Sequence, residues 1–273
     1  MYRNIRAVAA DIDKTLIEKG GIPMPVTKAA LEELHKRNIL FGVASGRPFD
    51  RRTLEKAEEW GLSFPFDFAI GMNGGDLWDR FHEGVTHYNL LPKEDVFEIC
   101  SFLKELDLNP VLYENAYDSV LALKWDWFLE DSVKRNRSHV TICDLDRLCA
   151  EDTGKIEIHF TEDKLEALNR AIAEHKTDRW ICVSTFTGTL EFMNPACSKG
   201  FALRRFAEIN DIPMESIMAF GDEQNDIEML KEAGTGVCMA NGSEDTKAAA
   251  DIITEYPVSE DGFGRFLYKH VFD

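Results

Sequence analysis

The chain has 273 residues, 44% of them apolar and 29% charged, an ordinary globular composition far from that of disordered segments. Its 49 acidic against 31 basic side chains leave a net charge of −18, and such a surface repels nucleic acid and anionic lipid, which disfavours a general nucleic-acid binder while leaving room for a local basic pocket. No stretch nears the about eighteen apolar residues of a membrane-spanning helix. The start, Met1 to Arg6 and a short apolar run stopped by Asp11, is too brief and too soon charged for a signal peptide, so a soluble, cytoplasmic protein is expected.

The first sixty residues alternate strand and helix. Ile5 to Ala10 is an apolar run that stops at Asp11-Ile12-Asp13. Residues 27–38 follow with Ala30, Leu31 and Leu34 at helical spacing. A second run, Ile39 to Ala44, stops at Ser45-Gly46-Arg47, and Pro48 suits the first turn of a helix reaching about Trp60, closed by Gly61. A third run, Phe66 to Met72, stops at Asn73-Gly74-Gly75. From about 90 to 188 the segments lengthen, with aromatics and charges mixed, as in Lys124-Trp125-Asp126-Trp127-Phe128-Leu129. Lys155 to Phe160 and Trp180 to Thr185 read as strands, and 163–175 as a helix. The tail returns to the first pattern: a helix over 199–209, a run Ser216 to Phe220 stopping at Gly221-Asp222, and a helix Asp226 to Ala233 ended by Gly234. Short strands at Val237–Ala240 and Asp251–Thr254 flank a helix at about 243–250. Strands alternating with helices imply βαβ units and a parallel sheet, and the middle reads as a separate α/β domain inserted into it.

The six cysteines, Cys100, Cys143, Cys149, Cys182, Cys197 and Cys238, form no Cys-x-x-Cys pair and no zinc-site spacing, so reduced, mostly buried thiols are expected. No phosphate-binding P-loop, dinucleotide fingerprint or Gly-x-Ser-x-Gly elbow occurs.

The polar signatures all fall at carboxyl ends of expected parallel strands, the edge where open α/β sheets bind ligands. Asp11, Asp13 and Asp222 are hard oxygen ligands carrying too much negative charge to sit together unpaired, and a Mg²⁺ ion that keeps several waters fits them. The Ser45 hydroxyl, the Gly46 amide and the Lys199 ammonium are donors suited to phosphate oxygens. A carboxylate beside a metal and a bound phosphate can attack phosphorus, and a second one two residues on can protonate the leaving group and later activate water. Taken singly, these features have plain alternatives. Asp222 and Asp226 also suit the first turn of a helix, Gly46 and Gly221 suit turns, and Arg47 suits a helix-start ion pair as well as phosphate. Trp125, Trp127, Phe128 and Trp180 read as core or surface of the inserted domain, and His159 as a satisfied strand residue.

Asp11-Ile12-Asp13-Lys14-Thr15-Leu16, Ser45-Gly46-Arg47, Asn73-Gly74, Ser198-Lys199-Gly200 and Gly221-Asp222-Glu223-Gln224-Asn225-Asp226 resemble, in order, the motifs of the haloacid dehalogenase superfamily of phosphatases. They look most like its Cof-type branch, in which a large α/β cap follows the third core strand, and the tail Glu260-Asp261-Gly262-Phe263-Gly264 is similar to a terminal feature of that branch. The resemblance covers the whole chain. It implies Asp11 as nucleophile and metal ligand, Asp13 as general acid/base and metal ligand through its carbonyl, and Asp222 as third protein ligand. Asp226 would orient metal-bound water or Lys199. The Ile12 amide, Ser45, Gly46, Lys199 and Asn225 would hold the phosphate, with Thr15, Arg47 and Asn73 in support. One residue departs from the pattern: Lys14 stands where the branch usually has glycine, a substitution of little cost if the backbone there is ordinary, and its side chain reads either as a source of positive potential at the cleft mouth or as simply solvated.

The expected architecture is thus α/β, a Rossmann-like parallel-sheet core of residues 1–88 and 189–273 with an α/β cap at 89–188. The expected activity is Mg²⁺-dependent hydrolysis of small phosphometabolites, sugar phosphates or phosphorylated cofactors, through an aspartyl phosphate, with the cap closing over the cleft and supplying selectivity. No nucleic-acid or membrane partner is expected, and a monomer or homodimer is. The competing readings are a sugar phosphomutase of the same superfamily, a phosphorylation-dependent signalling receiver, whose acceptor Asp ends the third strand rather than the first, and a silent binding protein, which the presence of both Asp11 and Asp13 disfavours.

Overall fold

In the computed structural model, which describes residues 4–114, 118–136, 138–186 and 188–272, the first apolar run forms β1 (Ala7–Asp11). Helix α1 (Pro25–Lys36) follows, with proline in its first turn, where a missing N–H costs nothing. After β2 (Leu40–Ala44) comes α2 (Arg51–Glu59). Asp50, not Pro48, starts this helix: the Asp50 carboxylate accepts the Thr53 N–H at 3.3 Å, satisfying an otherwise orphaned donor. Then come β3 (Phe68–Gly71), β4 (Asp76–Asp79) and β5 (Thr86–His87).

The next stretch carries α3 (Lys93–Glu105), β6 (Val111–Tyr113), β7 (Ser119–Ala122), α4 (Trp127–Asn136) and β8 (His139–Ile142). It continues with α5 (Leu145–Leu148), β9 (Ile156–His159), α6 (Leu165–Glu174), β10 (Ile181–Phe186) and β11 (Thr189–Met193). The tail supplies α7 (Lys199–Ile209), β12 (Ile217–Gly221), α8 (Ile227–Glu232) and β13 (Thr235–Cys238). It ends with α9 (Glu244–Ala249), β14 (Ile252–Ile253) and α10 (Gly262–Leu267).

Contacts divide the chain into two units, Met1–Thr86 with Ser198–Asp273, and His87–Cys197. The sequence-based bound at 188/189 falls inside the β10–β11 hairpin, whose antiparallel ladder from Ile181–Met193 to Phe186–Thr189 keeps both strands in the second unit.

The first unit is built on an eight-stranded sheet ordered β14-β13-β12-β1-β2-β3-β4-β5. It is parallel from β14 to β3 and turns antiparallel at β4. Its central strands are buried on both faces, which is why they read as continuous apolar runs. On one face Val8, Ala10, Phe41, Val43 and Phe220 meet Leu31 of α1 and Phe263 of α10 in one cluster. On the other, Phe68 stacks on Phe206 of α7 with ring centroids 3.9 Å apart. β1 lies between β2 and β12, so the chain order reverses beside its carboxyl end and opens a crevice there.

The second unit has a six-stranded sheet, β10-β11-β9-β6-β7-β8, antiparallel except for the β7–β8 pair. Ile156 and Ile158 pack with Phe102, Leu168, Trp180 and Phe192, while alternate residues Glu157 and His159 are paired to each other at 2.7 Å. Trp180 is core and Trp125 and Trp127 are surface. His159 is satisfied, its second ring nitrogen 3.0 Å from the Thr189 hydroxyl. Among the described residues, no helix is long and apolar enough to cross a membrane.

Candidate active site

Asp11 is the last residue of β1, Ser45 follows β2, Asp222 follows β12, and Lys199 opens α7. Ser198 caps α7 by accepting the Phe201 N–H at 3.0 Å, which sets the direction in which the helix, and Lys199 with it, begins. Gly74, at φ +109°, brings the exit of β3 against this start. A Cβ there would lie 1.9 Å from the Ser198 carbonyl oxygen, so no other residue fits.

Lys199 is wholly buried, and its Nζ donates to Asp11 Oδ1 at 2.6 Å and to Asp226 Oδ1 at 2.7 Å. The other oxygen of Asp226 accepts the backbone N–H groups of Asp222 at 2.9 Å and Glu223 at 3.1 Å. Asp226 therefore does two jobs at once: it caps the turn before α8, reciprocally with Glu223, and it grips Lys199. Gly221 leaves the room for this, because a Cβ there would sit 2.4 Å from that of Asp226.

Asp222 is also buried. Thr15 donates its hydroxyl to Asp222 Oδ1 at 2.9 Å, whereas Asp222 Oδ2 has no hydrogen-bond partner among the described residues. Burial, then the Asp226 charge, pushes the Asp222 carboxyl up to about 7. Burial pushes Asp11 up to about 8, with the charges of Asp226 and Asp222 adding to it and Lys199 opposing. Burial acts against the Lys199 ammonium too, but Asp11 and Asp226 outweigh it and raise its pKa. One buried cation thus faces Asp11, Asp222 and Asp226, and the surplus is negative.

Carboxylate oxygens of these three residues lie within 4.8 Å of one another. An orphaned buried oxygen among all-oxygen donors suits a hard divalent cation such as Mg²⁺. Asp11 and Asp222 are the side chains available to it, since both oxygens of Asp226 are engaged.

This surplus has a measurable consequence. Without a cation, folded Asp11 and Asp222 keep protons up to about 8 and about 7 that the unfolded chain releases near 3.8. The folded state binds more protons across that window, so stability falls as pH rises through it. Thermal unfolding in EDTA should give a Tm that drops from about pH 5 to about pH 8, and saturating Mg²⁺ should raise Tm most at the upper end. A Tm in EDTA that climbs over this range would contradict the charge balance described.

The residues that the resemblance assigns to the phosphate and its support form a second network. The Ser45 carbonyl accepts the Asn73 N–H at 3.1 Å, and its hydroxyl accepts the Arg47 N–H at 3.2 Å. Asn225 Nδ2 donates to Asn73 Oδ1 at 3.0 Å, the same oxygen that a Cβ on Gly46 would approach to 3.0 Å. Arg47 lies in the loop ahead of α2 and pairs with Asp13 at 3.1 Å. The Ile12 side chain is core, and its carbonyl accepts the N–H groups of Leu16 and Ile17, closing the loop that carries Asp13. Lys14 in that loop is not ordinary backbone: its φ is +66°, so the condition under which a lysine in place of glycine would cost little is not met.

All the expected site residues lie in the first unit, at the end of β1, at the start of α7 or in the segments that follow β1, β2, β3 and β12. The order and chemistry of these loops invite comparison with known proteins, and the model of the haloacid dehalogenase-like hydrolase family matches residues 8–267. This chain is a haloacid dehalogenase-like hydrolase. Within the family it is a phosphatase of the Cof-type branch, as the sequence resemblance implied. The hydrolase is similar to the 5-amino-6-(5-phospho-D-ribitylamino)uracil phosphatase YitU of Bacillus subtilis, 27% identical over 275 residues and 96% of each chain. It is 42% identical over 279 residues to the phosphatase YwpJ of Bacillus subtilis, covering 92% of this chain and 94% of that one. The X-ray structure of TM0651 from Thermotoga maritima matches it with a TM-score of 0.85 at 25% identity, over 98% of both chains.

Three positioning residues of the hydrolase escaped the sequence reading. Glu223 pairs with Lys14 at 2.7 Å, Asn241 Nδ2 donates to the Lys14 carbonyl at 2.8 Å, and Asp76 accepts the Phe49 N–H at 3.0 Å, fixing the loop after β2. Only Glu223 left a signal, the acid-x-x-acid spacing to Asp226 at a helix start.

Proposed function

We propose that this phosphatase hydrolyses small phosphomonoesters with Mg²⁺ as cofactor and Asp11 as nucleophile. The reading is carried by the wholly buried Lys199 shared between Asp11 and Asp226, beside an Asp222 oxygen with no donor. Asp11, Asp222 and, by family resemblance, the Asp13 carbonyl would hold the Mg²⁺, which when bound neutralises charge on the phosphoryl group.

The chain's own residues do the rest. Lys199 holds Asp11 in line and offers positive charge to the phosphoryl oxygens, while Ser45, Asn225 and the amides of Ile12 and Gly46 orient them. A bond forms from an Asp11 oxygen to phosphorus as the bond to the leaving-group oxygen breaks, and that oxygen takes a proton from Asp13. Water then attacks the phosphorus of the aspartyl phosphate and gives its proton to Asp13. Inorganic phosphate departs and the Asp11 carboxylate is restored.

Sugar phosphates and phosphorylated cofactors are the substrate class. The name of YitU, a phosphatase of a phosphorylated ribitylamino-uracil, supports that class. The phosphate- and metal-directed residues all belong to the first unit, so selectivity among leaving groups is assigned to the second.

Phosphate release from a panel of sugar phosphates, flavin mononucleotide and pyridoxal phosphate, with Mg²⁺ or with EDTA, tests the reading. Release confined to the Mg²⁺ arm is expected, and full activity in excess EDTA would overturn it. Asp13→Asn should lower kcat by about 10²–10⁴-fold through lost acid/base assistance. Wild-type kcat in that variant would remove Asp13 from the role.

A further inference from the structure

Lys14 is held in a backbone conformation that a lysine resists and a glycine adopts freely, φ +66°. Such strain persists where the surroundings over-determine the residue. Three contacts do so here: the Lys14 N–H donates to the Ile17 carbonyl at 2.7 Å, Asn241 donates to the Lys14 carbonyl at 2.8 Å, and the ammonium pairs with Glu223 at 2.7 Å. A glycine would keep the first two. Only the third uses the side chain, and it is an ion pair whose two members are each 50% exposed, a kind that adds little stability. Fold stability therefore gives no account of why a lysine stands here.

The charge does. The ammonium joins the loop of Asp11 and Asp13 to the loop of Asp222 and Asp226, and besides Glu223 it feels the charges of Asp222 and Asp11. Arg47, which pairs with Asp13 at 3.1 Å, is a second cation on these loops.

We infer that Lys14 is an electrostatic positioning residue of this site. Its charge, tethered by Glu223, reduces the negative potential made by Asp11, Asp222, Glu223 and Asp226. The site then binds the anionic phosphate more tightly and its divalent cation less tightly than a glycine at this position would allow. This rests on the proposed cation and phosphate sites.

Calorimetric titration of the full chain separates the possibilities, with Mg²⁺ alone and then with inorganic phosphate at saturating Mg²⁺. Lys14→Gly should bind Mg²⁺ about three- to tenfold more tightly and phosphate about three- to tenfold more weakly, with both differences shrinking as KCl is added. Lys14→Arg should keep both affinities near wild type. A merely structural lysine would move both affinities the same way or neither, and either result overturns the inference while leaving the site reading intact. Wild-type protein that bound neither Mg²⁺ nor phosphate would overturn the site reading and this inference together.

Discussion

Asp11→Asn should release phosphate at less than about 10⁻⁴ of the wild-type rate, the scale of loss when a nucleophile is removed from a catalytic group that works as a unit. An amide oxygen does not form the phosphoenzyme, yet it still accepts the Lys199 hydrogen bond now made to Asp11 Oδ1 at 2.6 Å. The variant should therefore fold. In EDTA near neutral pH it should be at least as stable as wild type, because the substitution deletes a carboxyl whose ionisation is opposed up to about 8 by burial, with the Asp226 and Asp222 charges adding to it. Steady-state phosphate release, circular dichroism and mass spectrometry for an acyl phosphate check the three parts. Near-normal turnover, with contaminating phosphatase excluded, would sink the mechanism.

Lys199→Met should damage both stability and catalysis. It keeps most of the side-chain volume but leaves Asp11 and Asp226 facing one another in a site where Lys199 itself has no exposure. Removing one member of a buried ion pair costs about 3–5 kcal/mol. Folded Asp11 holds its proton up to about 8, and without Lys199, which lowers its pKa, it holds it to higher pH still. Denaturant unfolding should therefore show a larger deficit at about pH 9, where the variant's two carboxylates are driven to face one another ionised, than at about pH 7. Lost charge-assisted contact to the phosphoryl group, about 1.5–3 kcal/mol, should depress kcat/KM for every phosphomonoester alike. A reordering of substrate preference, or stability equal to wild type at both pH values, would contradict the placement of Lys199 at the shared phosphoryl group.

The sequence by itself determined the parts whose physics is local or periodic. Central parallel strands are covered on both faces, so β1, β2, β3 and β12 stand out as unbroken apolar runs, and the polar residue that stops each run marks the sheet edge. The spacing Asp11-x-Asp13-x-Thr15 and the order of Ser45, Lys199 and Asp222 behind those strands were enough to point to phosphoryl chemistry. The second unit was less legible. Strands β6 to β8 run three or four residues each, too short to show a period, and β11 is placed in the second unit by its ladders with both β10 and β9.

Tertiary structure alone decided which acid serves which partner. Asp222 and Asp226 are four residues apart and chemically identical, yet three donors occupy Asp226 while one Asp222 oxygen has none. That difference depends on where a lysine twenty-seven positions earlier in the chain arrives, at the start of a helix set by the Ser198 cap and by the close approach at Gly74. The left-handed turn at Lys14 has the same origin. Contacts to Glu223 and Asn241, more than two hundred residues away, outweigh the local preference of an L-residue, and no local pattern in the sequence encodes a long-range sum of that kind.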